Sequence, residues 1–400
     1  MTEVYPMQVY VIQPGDTLWK LGSRFGITFD ELQRLNQLAN PDRLVFGQAI
    51  LLPTVTSIPR YYPPVMKRNI QTLAYLHLND LETLESALAK ISPYITYGAL
   101  FEFPAKSDGS ISVSANTANA AALLKQFQII PLITVTNIDP QTGFDRDLAR
   151  AILSSEPLRR QLIRNVLDIL VQYDAAGVNF DFENMYPEDR TLYTGFITEL
   201  TATLDSFAYL SSVAAPAKSA DLPTNPWSGA FDYAALGAVT HFIFLMTYDW
   251  GVPTGAPMAV APIDQVRKVI AYATSLIPPE KIIQGIPLYG YNWPLPDTPQ
   301  NKATTVNLVA PYELAYNHYA TINYDSKAES PWFQYTDPAA ARREVWFEDV
   351  RSVLAKYKLA CEFKLKGVGF WSSRNEPYGF PQNWRLLPEM FHICKWAGIL

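Results

Sequence analysis

From residue 68 onward, short apolar runs alternate with stretches whose apolar residues recur every three or four positions. The runs fall at 71–76, 95–101, 130–136, 177–183, 210–215, 241–248, 282–289 and 367–371. Near-continuous runs of this length are the pattern of strands covered on both faces. Between most of them lie amphipathic segments such as 159–173, where Leu162, Ile163, Val166, Leu167 and Leu170 share one helical face. Eight strands, each separated from the next by a helix, predict an α/β chain closed as a (β/α)8 TIM barrel. The stretch from Gly290 to Leu365 is too long for one strand-to-strand connection. It predicts a small α+β insertion, about 294–345, between strands seven and eight at the barrel mouth.

The first fifty residues follow a different pattern. Residues 8–12 alternate as a short strand, and Pro14-Gly15 turns the chain. Asp16 or Thr17 can cap a helix carrying Leu18, Leu21 and Phe25. A second helix is expected at 28–35, with Phe29, Leu32 and Leu35 on one face, and a closing strand at 49–53. This is a βααβ unit, in which Trp19 reads as core rather than as a sugar platform. Pro59, Pro63 and Pro64 deny helix to the next stretch, so the expected domains are 7–53, a linker at 54–66 and a barrel at 67–400. A stiff linker of this kind is expected to hold the two domains apart.

On strand four, Asn179, Asp181 and Glu183 share one face, and Val178, Phe180 and Phe182 take the other. The apolar trio suits the surrounding helices, so the polar trio faces the barrel interior. Active sites in such barrels lie where the strands end. Glu183 is last on the strand, and Asp181 sits roughly 6.5–7 Å deeper. Like charge at this distance raises one carboxyl's pKa, and a protonated Glu is what a general acid needs near neutral pH.

Composition narrows the function classes. Apolar residues make up 48% and charged residues 18% of the 400, so the chain is globular in composition. The net charge of −6 with no basic run argues against nucleic acid, and no stretch of 18 apolar residues suggests a membrane span. The Met1 segment has no basic-then-apolar pattern of a signal peptide. Cys361 and Cys394 and the four scattered histidines have no metal-ligand spacing, so neither a metal nor another cofactor is expected. The two thiols read as buried and free, with a disulfide as the alternative.

Two resemblances sharpen this reading. Tyr10-Val-Ile-Gln-Pro-Gly-Asp-Thr-Leu-Trp19, Leu32-Gln-Arg-Leu-Asn36, Leu44-Val-Phe-Gly-Gln48 and Ile50-Leu-Leu-Pro53 resemble a LysM module. That resemblance implies binding of N-acetylglucosamine-containing glycans, peptidoglycan or chitin-like, through loops at Gly15, Asp16, Thr17, Leu18 and at Asn40, Pro41. Ala176-Gly-Val-Asn-Phe-Asp-Phe-Glu183 resembles the Asp-Gly-x-Asp-x-Asp-x-Glu signature of glycoside hydrolase family 18. Phe244-Leu-Met-Thr-Tyr-Asp249, Gly285-Ile-Pro-Leu-Tyr-Gly290, Glu344-Val-Trp-Phe-Glu-Asp349 and Gly367-Val-Gly-Phe-Trp371 extend the likeness over nearly all of 68–400.

The family resemblance implies a retaining reaction in which the substrate's own acetamide is the nucleophile. Glu183 would be the acid, Asp181 and Tyr248 would hold the acetamide, and Trp371 would floor the sugar. Asn179, Asn184, Asp249 and Tyr289 join the implied substrate-binding set. Ala176 and Asn179 depart from the family's two leading acids; Asn179 is expected to hydrogen-bond Asp181 without exchanging a proton. The LysM–barrel combination resembles spore cortex-lytic N-acetylglucosaminidases of the SleL type, made in the mother-cell cytosol and placed in the spore coat or cortex without a signal peptide. A chitinase and a non-catalytic LysM-anchored coat protein are the alternatives.

Overall fold

The computed structural model describes residues 7–36, 38, 40–53, 67–296, 298, 301–371 and 382–395. The expected linker at 54–66 lies outside them. Eight parallel strands form the barrel: Arg68–His77, Tyr97–Pro104, Ile130–Thr136, Gly177–Asp181, Leu210–Pro216, Phe242–Met246, Ile282–Pro287 and Gly367–Trp371. The eighth pairs with the first through Gly367 opposite Gln71, which closes the sheet. Gly367 is required there, because a Cβ would fall 1.6 Å from the Gln71 carbonyl oxygen. A short strand, Phe391–Ile393, extends the sheet beside Arg68–Ile70; no sequence pattern announced it.

Local signals bound the longest helix. Ser155 caps the helix Glu156–Tyr173 by accepting from the Leu158 N–H, and Asp174 ends it in the left-handed conformation at φ 49°. Leu162, Ile163, Val166 and Leu170 are buried on its inner face, whereas Leu167 is only partly covered. On strand four, Phe180 lies 5.0 Å from Phe196 of the helix Arg190–Asp205, so the apolar trio does face the helices. The insertion is a five-stranded antiparallel sheet with one helix, Ala310–Asn317, and its strands run from Gly290 to Trp346. It therefore starts earlier than about 294, because Gly290–Leu295 pairs with Arg342–Trp346 directly after strand seven. No helix among the described residues is long and apolar enough to cross a membrane.

The N-terminal unit folds as Met7–Val11, Leu18–Phe25, Phe29–Asn36 and Ala49–Pro53, with the two strands antiparallel. It is not held apart from the barrel. Ile50 and Leu52 join Ile12, Leu18, Leu21 and Leu32 in the unit's own core, while Ala49 and Leu51 on the opposite strand face, with Leu35 and Val45, join the barrel's core. Ile322 of the insertion donates its N–H to the Phe46 carbonyl at 3.0 Å. Buried Gln382 donates to Asn36 Oδ1 at 3.0 Å. Arg351 reaches the Gly47 carbonyl at 3.2 Å. A unit this small is marginal on its own, and packing against the barrel adds to the surface it buries.

Trp19 is the clearest correction in this unit. It is 69% exposed, because the helix buries Leu18 and Leu21 and turns the next position outward. Cys361 and Cys394 are both free, and both are half-buried rather than buried.

Candidate active site

The barrel's polar strand-four face opens into a cleft of about 420 Å³. Asp181, Glu183, Tyr248, Asp249 and Trp371 line it, joined by Tyr75, Phe144, Trp227, Met246 and Trp250. Glu183 lies just beyond the last paired residue of strand four. Its backbone is held by the side chain of Asn137, whose Oδ1 accepts the Glu183 N–H and whose Nδ2 donates to the Glu183 carbonyl, both at 2.9 Å. The next residue, Asn184, takes φ 53° and turns the chain away from the strand.

The electrostatics favour a protonated Glu183. Burial, then the negative charges of Asp181 and Asp249, hold its carboxyl well above the ordinary value. Asp181 is also pushed up, by burial and then by Glu102. Among the described residues no cation appears among the causes that shift either carboxyl, so the site favours keeping a proton on Glu183. Asp181 Oδ1 is buried without a hydrogen-bond partner among the described residues. A buried acceptor left open in this way suits a ligand N–H. Tyr248 is nearly buried, and burial raises its hydroxyl far beyond neutral pH, so it is a proton-bearing donor.

Asp249 does not touch Glu183 by hydrogen bond; it accepts from Tyr289 Oη at 2.6 Å and Tyr291 Oη at 3.3 Å. Burial raises its pKa, and these two bonds oppose the rise. Tyr289 is thus buried behind the cleft as support for Asp249. Trp371 meets Tyr75 and Phe101 edge-on, with centroids 5.1 and 4.9 Å apart. Gly285 clears space for Tyr248, since a Cβ there would lie 2.9 Å from its ring.

One expectation is corrected. Asn179 does not bond Asp181; its Oδ1 accepts from Tyr75 Oη at 2.7 Å and its Nδ2 donates to Ser212 at 3.0 Å. The barrel's interior polar layer takes both ends of the amide, which leaves Asp181 open above it. The Asn184 amide is likewise engaged, donating to the Phe144 carbonyl at 3.0 Å and accepting from Arg146. Tyr75, Asn137, Phe144 and Trp227 had no sequence signal of their own: one lies inside an apolar strand, and three lie in or beside loops.

In the N-terminal unit, Gly15 takes φ 81°. Asp16 accepts from Tyr10 Oη and the Gln13 N–H, both at 2.8 Å. Thr17 caps the first helix and Leu18 is buried beneath it. Asn40 accepts from the Asp42 N–H at 3.0 Å, and Pro41 is half-buried beside it. These side chains shape the two loops, leaving backbone atoms as the groups open to a glycan. No group of three His, Cys, Asp or Glu side chains among the described residues is gathered as a metal site.

Comparison with known proteins gives two family matches: Glycosyl hydrolases family 18 over residues 142–376 and the LysM domain over residues 10–53. The cortical fragment-lytic enzyme of Bacillus subtilis (strain 168) is 34% identical, across 97% of this chain and 99% of its own. The crystal structure of the Bacillus cereus spore cortex-lytic enzyme SleL superposes with a TM-score of 0.91 at 34% identity, covering 98% and 99% of the two chains. A chitinase from Chromobacterium violaceum shares the fold alone, with a TM-score of 0.73 at 24% identity over 80% of this chain and 98% of that one.

Proposed function

This chain belongs to glycosyl hydrolase family 18 and is a glycoside hydrolase with an N-terminal LysM domain; from that premise we propose that it cleaves β-1,4 bonds of N-acetylglucosamine in spore-cortex peptidoglycan with retention of configuration. The observation that carries the mechanism is the pairing of a proton-holding Glu183 with Asp181, whose Oδ1 has no partner among the described residues.

Glu183 gives its proton to the glycosidic oxygen as the C1–O bond breaks. The 2-acetamido oxygen of the same sugar forms the new bond to C1, giving an oxazolinium. Asp181 accepts the acetamide N–H and offsets the positive charge, and Tyr248 donates to the acetamide oxygen. Trp371 supports the sugar's apolar face. Water then attacks C1, the Glu183 carboxylate takes the water's proton, and the acetamide is restored.

The cortex assignment draws on the cortex-lytic names of relatives that align over almost the whole chain. It places the enzyme's work at the spore cortex, with the LysM loops on the same polymer. Mass spectrometry of muropeptides released from decoated cortex tests this reading. The expected products end in reducing N-acetylglucosamine; efficient cleavage of chitin tetrasaccharides with no cortex products would overturn it.

A further inference from the structure

Arg146 follows Phe144, which lines the cleft, by two residues, and it bonds the residue that follows Glu183. It opens the helix Arg146–Ser154, just after the hairpin of Ile138–Asp139 and Gly143–Phe144. Its guanidinium stacks 5.0 Å from the Tyr186 ring centroid and donates to Asn184 Oδ1, the residue following Glu183. Its neighbours are treated differently. Arg150, over the same ring, is neutralised by Asp189 and Glu188, and Arg190 by Asp221 and Asp232. Arg146 makes no ion pair among the described residues and holds only a neutral amide.

The aromatic rim beside it has a matching character. Phe144 and Trp227 line the cleft, and Trp227 is 55% exposed. An exposed indole is normally free to move, but this one sits on a pinned loop. Asn225 Oδ1 accepts from the Trp227 and Ser228 N–H groups, both at 2.9 Å. Lys218 ties the loop's ends by donating to Asp221 at 2.9 Å and to the Phe231 carbonyl at 2.6 Å. An aromatic face open to solvent in a cleft, carried on a pinned backbone, is suited to stacking on the C–H face of a sugar.

The order of groups across the barrel assigns the sugar. The cleaved residue lies between Trp371 of strand eight and Asp181 and Tyr248. Its leaving group must lie beyond the proton donor Glu183, on the side of loops three to five, where Phe144, Trp227 and Arg146 are. We infer that this rim is a subsite for a leaving-group sugar that carries a carboxylate. The sugar ring packs on Trp227 and Phe144, and the carboxylate pairs with Arg146. The inference rests on the peptidoglycan reading, in which the lactyl or peptide carboxylate of a muramic unit supplies the charge. Chitin, which is neutral at this position, leaves Arg146 without a counter-ion.

The test is a two-by-two comparison of kcat/KM. Wild type and Arg146→Gln are assayed on a soluble muramic-containing tetrasaccharide and on the same fragment with its carboxyl groups reduced to alcohols. A charge-assisted hydrogen bond supports an expected loss of about tenfold for either change alone. The two changes together should cost no more than one, and Arg146→Lys should recover part of the loss. Trp227→Ala should raise KM on both fragments. Additive losses, or equal discrimination by both enzymes, would remove Arg146 from recognition while leaving the peptidoglycan reading intact. No product from any muramic fragment, with chitin tetrasaccharide still cut, would overturn both.

Discussion

Glu183 and Glu348 are both glutamates withdrawn from bulk water, yet they meet opposite surroundings. Glu348 is 1% exposed and faces Lys356, itself fully buried, at 2.8 Å. Burial raises its pKa, but the lysine charge and its hydrogen bond oppose the rise. Glu183 has Asp181 and Asp249 as its charged neighbours, and both drive its pKa in the same direction as burial. The first arrangement pairs a charge through one carboxylate oxygen and ties the segment after the insertion's last strand to the helix Val350–Glu362. The second leaves a charge unsatisfied so that a proton stays. A buried carboxylate beside a cation is built to be ionised and inert; one beside other carboxylates is built to hold a proton and release it.

The largest break in this contrast comes from Glu183→Gln. The amide keeps the shape but has no proton to give, so kcat/KM should fall by about 10²–10⁴-fold while glycan affinity is kept. Steady-state assay with a parallel binding measurement checks this. Retention of more than about a third of the activity would contradict the acid role.

Lys356→Met acts on the other member. It strands Glu348 in the interior, and breaking a buried pair from one side costs about 3–5 kcal/mol. Denaturant unfolding should report that loss, and adding Glu348→Leu should return most of it. The kcat of the folded fraction should be unaffected, because neither residue lines the cleft.

A third variant asks whether the LysM contact carries stability as well. Gly47 takes φ 87°, and a Cβ there would lie 1.9 Å from the Ile322 carbonyl oxygen. Gly47→Val should therefore loosen the module from the barrel and lower stability by about 1–3 kcal/mol. The fall in Tm should appear in the full chain, together with faster proteolysis at the module boundary.

The smallest effect is a gain. The folded pKa of Glu183 lies above its unfolded value, so its contribution to stability is present at low pH and declines as pH rises toward the folded pKa. Glu183→Gln removes that decline. The variant should melt higher than wild type at mildly alkaline pH and approach it near pH 4. The same substitution would then lower activity and raise stability, whereas Lys356→Met lowers stability alone.

The barrel and its acid were legible because strand periodicity is local. Alternation alone separates Asn179, Asp181 and Glu183 from Val178, Phe180 and Phe182, and Phe180 indeed packs on a helix residue. What strand four touches across the barrel was not legible. Asn179 meets Tyr75 and Ser212, from strands one and five, and no spacing along the chain encodes that meeting. The docking of the LysM unit left a trace that can be read in retrospect. Ala49-Ile-Leu-Leu-Pro53 does not alternate, and a strand of a two-stranded sheet that is apolar on both faces needs a cover on both. Trp19 was read as core, whereas its position beside Leu18 places it off the buried helix face.

Its surroundings, not substrate alone, keep Glu183 protonated. A carboxyl ¹³C titration of Glu183 in the free wild-type enzyme measures this directly. The expected midpoint lies well above the ordinary glutamate value of about 4.3 and falls when Asp249→Asn removes one of the two neighbouring charges. A midpoint at the ordinary value, unchanged in that variant, would contradict it.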